Sequence, residues 1–203
     1  MSGTPGGRDP AATGGDESAD HAFVLRGSEV THEGMLTTLR VDAVHTPDGR
    51  TVRREIAQRP DAVAMVPLTA DGEVILVRQY RHAVGHYELE IPAGLLDVDG
   101  GESAQAAAQR ELAEEIGMTA GTLRRLLHFH NSAGWSDEDT VVYLATDLRP
   151  GPPPDGFEAD AEEADMQVLR MPLADAVAAI GRDEIHDAKT VIGVLFVAAG
   201  AAP

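Results

Sequence analysis

Glu111, Glu114 and Glu115 fall within five positions in the run Arg110-Glu111-Leu112-Ala113-Glu114-Glu115-Ile116-Gly117-Met118. The run is built to be helical. On a helix Glu111 faces both Glu114 and Glu115, at spacings of three and four. Like charges so placed repel by roughly 0.2–0.5 kcal/mol per pair, so stability alone does not gather them on one stripe. A cation held between them reverses the sign of that cost. Hard, oxygen-only ligation of this kind suits Mg²⁺ or Mn²⁺, not zinc. Leu112 and Ile116, four apart, form the adjoining buried stripe. Ala104, Ala107 and Ala108 continue the acidic stripe one turn back and leave it unobstructed.

The elements that must carry this helix are legible on both sides. Ser103 is suited to cap it, and Gly117 to close it in the left-handed conformation. Upstream, Ala62 to Leu68 reads as an apolar strand. Asp71-Gly72 reads as a tight turn, and Glu73 to Tyr80 as its hairpin partner. His86 to Ile91 is a further strand and delivers the chain to Ala93-Gly94. Downstream, Leu123 to His130, Thr140 to Ala145 and Met166 to Met171 read as strands. Pro172 opens a helix to about Ile180, and Asp187 to Ala199 is a second, apolar helix. Strands and helices alternate without a regular βαβ period, which predicts a mixed sheet between helices.

The N-terminal third is different. Residues 1–20 are Gly, Pro, Ser, Thr and Asp with almost nothing to bury, and read as a disordered tail. Residues 22–58 read as a small antiparallel sheet with short strands at Phe23 to Arg26, Leu36 to Val44 and Thr51 to Ala57. The last two are joined by the turn Pro47-Asp48-Gly49-Arg50. The main domain spans 61–199.

The acidic run and its surroundings resemble the Nudix box: glycine, five residues, Glu, seven residues, then Arg-Glu-aliphatic-x-Glu-Glu-x-Gly-aliphatic. Glu102 to Arg110 has that spacing, and Arg110 to Met118 matches at every specified position. Gly94 to Glu102 encloses seven residues, not five, so the loop is two residues longer. Val77 to His82, Tyr87 to Gly94 and Ser132 to Glu138 are similar to the ADP-ribose pyrophosphatase branch, with Ala133 where that branch shows proline. The resemblance implies a Nudix-type α/β/α sandwich with a mixed sheet, plus the small N-terminal antiparallel sheet.

It also implies roles. Glu111, Glu114 and Glu115 would hold Mg²⁺ or Mn²⁺, joined by the carbonyl of Ala93 and by Glu102. Arg110 would orient a glutamate or brace the loop. Guanidinium groups bind phosphate oxygens in pairs, which makes Arg54, Arg78 and Arg81 candidates, and the resemblance favours Arg81. Glu90 belongs to the substrate-side segment, and Trp135 is placed to stack on a base or ribose. A water-positioning base is expected in the acidic loop 155–165, at Glu162 or Glu163, with Glu138 a third candidate. His128 and His130 share a strand face, a pattern that can bind transition metals.

Composition narrows the classes. A net charge of −18 disfavours nucleic acid as a partner. An anionic substrate then has to arrive with divalent metal or meet a local cluster of arginines. No apolar run is long enough for a membrane span and no signal-peptide pattern stands at the N-terminus, which predicts a cytoplasmic protein. There is no cysteine. That removes thiol nucleophiles and argues against an isoprenoid diphosphate isomerase, which shares the fold and would use one.

The expected function is metal-dependent hydrolysis of the pyrophosphate of ADP-ribose or a related nucleoside diphosphate sugar. Other nucleoside diphosphate compounds (dinucleoside polyphosphates, flavin dinucleotides) and a non-catalytic sensor of nucleotide sugars are the alternatives. A homodimer is expected, held partly by 22–58, because three short strands cannot cover both faces alone.

Overall fold

The computed structural model describes residues 22–96, 101–153, 156–157 and 164–200. These residues form two compact units. One holds residues 22–60 together with His130–Asp139, and the other is built from segments starting at Asp61, Glu102 and Thr140.

In the first unit β1 (Val24–Glu33), β2 (Thr38–His45) and β3 (Thr51–Gln58) make an antiparallel sheet in that order. The turn at Thr46–Arg50 closes as expected, with the Thr46 N–H donating to the Arg50 carbonyl at 2.8 Å and Gly49 at φ 84°. The first strand differs from expectation: it runs on to Glu33 instead of stopping near Arg26. Its pairing with β2 shifts between Leu25 and Gly27 and again between Val30 and His32. Such irregularities break the alternation on which a strand is recognised in sequence. The segment 132–137 lies along the edge of β3, where the Ala57 N–H donates to the Trp135 carbonyl at 2.7 Å.

The second unit carries two sheets. β4 (Ala62–Pro67), β7 (Ala93–Leu95), β8 (Met118–His130) and β9 (Asp139–Pro150) run in the order β7-β4-β9-β8. β5 (Glu73–Arg81), β6 (His86–Glu90) and β10 (Gln167–Pro172) run in the order β10-β5-β6. The expected hairpin of β4 with β5 is therefore corrected. Ladder pairing between them is limited to an isolated bridge of Leu68, just past β4, with Val74, beside the turn at Thr69–Glu73. β4 instead pairs in parallel with β9 and antiparallel with β7, while β5 lies antiparallel to β10 and β6.

The reason is burial on both faces. Val63 and Met65 of β4 join Ile75 and Val77 of β5 in one core cluster, whereas Ala64 and Val66 join Val74 and Leu76 in another. Runs apolar at every position belong inside layered α/β structures and not in half-solvated hairpins. α1 (Ala104–Ile116) covers the first cluster through Ala107, Ala108 and Leu112. α2 (Leu173–Gly181) and α3 (Ala188–Ala198) cover the second through Ala176, Ala179 and Val194. The mixed sheet between helices is thus present. Both caps of α1 are as expected: the Ser103 side chain accepts from the Ala106 N–H, and Gly117 sits at φ 63°.

Candidate active site

The carboxylates in and just before α1 form two groups, those against the Ala93–Gly94 backbone and those on Arg110, with Glu111 in both. Glu111 is 6% exposed and lies against the backbone of Gly94. A Cβ built on Gly94 would stand 1.9 Å from Glu111 Oε1, so only glycine admits this approach. Glu115, one turn on, accepts a hydrogen bond from the Ala93 N–H at 3.0 Å. The Glu111 and Glu115 carboxylates and the Ala93–Gly94 backbone therefore converge. The delivery is firm, because Pro92 just upstream accepts from the Met65 N–H of β4 at 2.9 Å.

Glu114 and Glu102 belong to the second group. Arg110 donates from Nη1 to Glu111 at 2.6 Å and to Glu114 at 2.9 Å, and from Nε and Nη2 to Glu102 at 3.1 Å each. Nη2 also donates to the Leu95 carbonyl at 3.2 Å. Arg110 thus ties Glu102, Glu111 and Glu114 to the loop after β7. Hydrogen bonding to Glu102, ahead of the pull of Glu111 and Glu114, holds its guanidinium still more firmly charged. The alanines one turn back do not form an open floor. Ala107 and Ala108 are fully buried in the core with Leu112, because the same 3.6-residue period that aligns them with the carboxylates also turns them onto β4.

A charge on Glu115 would not be fully balanced by the protein. Loss of hydration, then the neighbouring Glu111, pushes its carboxyl up to about 8, against the Ala93 N–H and the more distant Lys189 and Arg81. Two crowded carboxylates and a backbone cradle that a Cβ would fill make a set of hard oxygen donors with excess negative charge. That set fits a divalent cation of the Mg²⁺ type.

A network behind β7 supports the cradle. Glu90 is 1% exposed and receives two bonds from Arg81, Nε at 2.7 Å and Nη2 at 2.8 Å. Lys189 of α3 also pairs with Glu90 and donates to Asp187 at 2.9 Å. Burial alone would raise the Glu90 carboxyl, but the Arg81 bonds and the two cations outweigh it and hold the group below its ordinary value. Asp187 caps α3 by accepting from the Thr190 N–H at 2.9 Å, and Thr190 Oγ1 accepts from the Ile91 N–H at 2.8 Å. The first turn of α3 therefore grips Glu90 and Ile91, the residues that lead into Pro92 and Ala93.

Lys189, Asp187 and Thr190 escaped the sequence reading. Lys189 and Thr190 stand 99 positions from Glu90 and Ile91, and all three lie at the start of a helix that reads as plain apolar cover. Lys189→Met should cost about 1–3 kcal/mol, since it leaves a buried carboxylate short of a donor. It should also lower kcat about tenfold or more by loosening the cradle. Lys189→Arg should recover part of kcat, and steady-state kinetics alongside thermal melts checks both.

The remaining candidates sit elsewhere. Arg54 on β3 is exposed and donates to the Arg53 carbonyl at 2.9 Å. Trp135 is 56% exposed in the turn that starts at Ser132, and Glu138 faces Arg59 at 3.6 Å. These three belong to the first unit. Arg78 lies over the Tyr87 ring at 3.8 Å, a cation–π contact. Glu162 and Glu163 lie outside the described residues, but Asp165 just after them accepts from the Tyr87 hydroxyl at 2.6 Å, so the acidic segment ends against β6. His128 and His130 alternate along β8, and His130 pairs with Asp139.

Comparison with known proteins agrees with this geometry. The profile of the NUDIX domain matches residues 58–191. An ADP-ribose pyrophosphatase of Mycobacterium tuberculosis is 42% identical over 179 residues, covering 88% of this chain and 84% of that protein. An ADP-ribose pyrophosphatase of Bacillus subtilis is 35% identical over 168 residues, covering 83% of this chain and 88% of that one. A crystal structure of an ADP compounds hydrolase superposes with a TM-score of 0.76 at 26% identity, covering 91% of this chain and 96% of its own. With a matching profile over most of its length and a box whose glutamates meet the Ala93–Gly94 cradle, the chain belongs to the Nudix family and is a pyrophosphohydrolase.

Proposed function

We propose that the chain hydrolyses the pyrophosphate of ADP-ribose or a related nucleoside diphosphate sugar, giving a nucleoside monophosphate and a sugar phosphate. The observation that carries this reading is the convergence of Glu111 and Glu115 on the Ala93–Gly94 backbone, taken with the activities named for the relatives. Glu111, Glu115 and the Ala93 carbonyl would hold Mg²⁺ or Mn²⁺, with Glu102 and Glu114 close by on Arg110. A bound divalent ion would neutralise the phosphate oxygens and make a water more acidic. Arg81 and Glu90 set positive charge and a fixed hydrogen-bonding edge beside the cradle. Glu162 or Glu163 would position the attacking water and take its proton.

A panel of diphosphate compounds, incubated with Mg²⁺ or Mn²⁺ and resolved by chromatography, tests the substrate class. ADP-ribose should yield AMP and ribose 5-phosphate. Ala133, in place of the branch proline, makes dinucleoside polyphosphates and flavin dinucleotides necessary members of the panel. If no nucleotide sugar is cleaved while one of these is, the substrate assignment moves to that class. Glu162→Gln should lower kcat strongly while KM changes little, because a water-positioning group acts mainly in the transition state. Glu163→Gln should be milder. The reverse order assigns the base to Glu163, and indifference to both transfers the role to Glu138.

The same reading makes the protein a cytoplasmic homodimer, with residues 22–58 as the interface and 61–199 as the hydrolase domain. Every residue of β1 is exposed, and Phe23, Leu25, Val30, Met35 and Leu36 add a run of exposed apolar side chains on or beside it. A surface of that kind calls for a partner, and a second copy of the chain is the occupant proposed. Arg54 would then serve the partner's site. Light scattering should return about twice the 21.4 kDa chain mass. Mixed Arg54→Ala and Glu115→Gln chains should recover activity through shared sites. A scattering mass of one chain at working concentration rules the dimer out.

A further inference from the structure

We propose that His86, Glu88 and His186 form a second metal site, suited to a transition-metal ion such as Zn²⁺ and separate from the carboxylates of α1. The inference does not rest on the proposed reaction. His86 and Glu88 alternate on β6 and so share one of its faces. His186 comes from the segment between α2 and α3, next to the cap Asp187. One ligand atom from each of the three lies within 4.8 Å of the others. His86 Nε2 is 2.6 Å from Glu88 Oε1, and His186 Nδ1 is 3.9 Å from Glu88 Oε2.

The hydrogen bonding leaves one ring nitrogen of His86 facing the Glu88 carboxylate. His86 Nδ1 stands 3.0 Å from the Val84 carbonyl, which can only accept, so Nδ1 carries a proton. In a neutral imidazole Nε2 then presents a lone pair to a carboxylate oxygen. Two lone pairs at that separation repel unless a proton or a metal ion lies between them. His186 is arranged more loosely, with Nδ1 3.9 Å from Glu88 Oε2 and Nε2 3.3 Å from Asp183 Oδ1. A ring nitrogen held by a carbonyl or a carboxylate while the opposite nitrogen faces the ion is the usual support for a metal-binding histidine.

Glu88 adds the negative charge. Its side chain is only 10% exposed, and among the described residues its ion-pair partners are these two imidazoles, with no lysine or arginine. Two imidazoles and one carboxylate favour Zn²⁺, Co²⁺ or Ni²⁺ over Mg²⁺, and leave a fourth position for water. Both histidines are about half exposed, so an ion can enter and the rings can turn to meet it. Occupancy would tie the α2–α3 segment to β6, two residues from Glu90 and one from Asp187.

The test uses the full chain with Mg²⁺ in large excess, which occupies the α1 carboxylates, and titrates Zn²⁺ by calorimetry with Co²⁺ as a visible-spectrum probe. One equivalent of Zn²⁺ should bind, and Co²⁺ should show the intense absorption of a four-coordinate site. His86→Ala and His186→Ala should each weaken binding at least tenfold, and the double variant should abolish it. Glu115→Gln should retain it. Metal-free melting temperatures close to wild type establish that the variants fold, and Glu88→Gln gives a third, independent removal of a ligand. The proposal is overturned if Zn²⁺ does not bind at micromolar concentration. It is equally overturned if the histidine variants bind as tightly as wild type, or if Glu115→Gln removes the binding.

Discussion

Glu115→Gln should abolish turnover and leave the fold standing. The amide is the same size and can still accept from the Ala93 N–H, so the cradle keeps its packing. What it loses is one of the two charged oxygens proposed to hold the metal. Activity should fall at least about a hundredfold, roughly 2.7 kcal/mol in the barrier. A variant that keeps more than about a tenth of wild-type activity, a loss under roughly 1.4 kcal/mol, would remove Glu115 from the metal site.

The stability of the metal-free protein supplies a second readout with a definite sign. The Glu115 carboxyl is raised from its ordinary 4.5 to about 8 in the folded chain. Below about pH 4.5 both folded and unfolded chains hold the proton. Between there and about 8 the unfolded chain has lost it while the folded chain keeps it, so the folded state binds more protons and stability falls as pH rises. Glutamine has no such loss. In metal-free buffer the variant should therefore gain on wild type as pH climbs from 4.5 to 8. Added Mg²⁺ should raise the melting temperature of wild type at pH 8 and do much less for the variant, since metal binding requires the ionised carboxylate. Melting curves at several pH values, with and without Mg²⁺, check both trends.

How much of this was legible in the sequence depended on whether the information was local. The α1 helix announces itself through a capping serine, a closing glycine and an apolar stripe, all within fifteen residues. Its carboxylates could be singled out because repulsion at helical spacing is a local cost. The strand pairings were not legible in the same way. β4 and β5 are neighbours in sequence with a turn between them, and local rules join them as a hairpin. Their burial on both faces separates them into two sheets, and that is settled by α1, α2 and α3 packing from opposite sides.

The site divides along the same line. Glu111, Glu115 and Arg110 lie in one short run, whereas the grip of Lys189 and Thr190 on Glu90 and Ile91 spans half the chain. No periodicity records such a contact. His86 and His186 are as far apart, and nothing in the pattern around either histidine links them. Arg81 is, from the sequence, the favoured candidate for binding phosphate. The structure commits two of its nitrogens to Glu90, a partner visible in the sequence only as an acid on the next strand.

Gly94→Ala is the sharpest test of the cradle, because the substitution alters nothing but the space that Glu111 occupies. Gly94 pairs with Val63 in a regular strand register and has no positive φ, so its backbone accepts an alanine without strain. The new Cβ would fall 1.9 Å from Glu111 Oε1 and 2.0 Å from its carboxyl carbon, far inside contact distance. The carboxylate has to leave. It is the mobile end of a side chain, and Arg110 can follow it, so the fold should survive with a melting temperature lower by a few degrees. Activity should drop at least about a hundredfold, as if the ligand itself had been removed. The Mg²⁺-dependent rise in melting temperature should shrink with it. Gly181→Ala, where a Cβ meets nothing within 4 Å, should change neither quantity. A double-mutant cycle then separates displacement from general damage. Glu111→Asp shortens the side chain by one methylene and should be harmful alone, because it pulls the carboxylate short of the cradle. Combined with Gly94→Ala it should cost much less than the sum of the two, since the shorter side chain no longer meets the added Cβ. Additive losses would mean that Gly94 and Glu111 do not act on each other. The approach of that carboxylate to the strand backbone would then not be what builds the metal site.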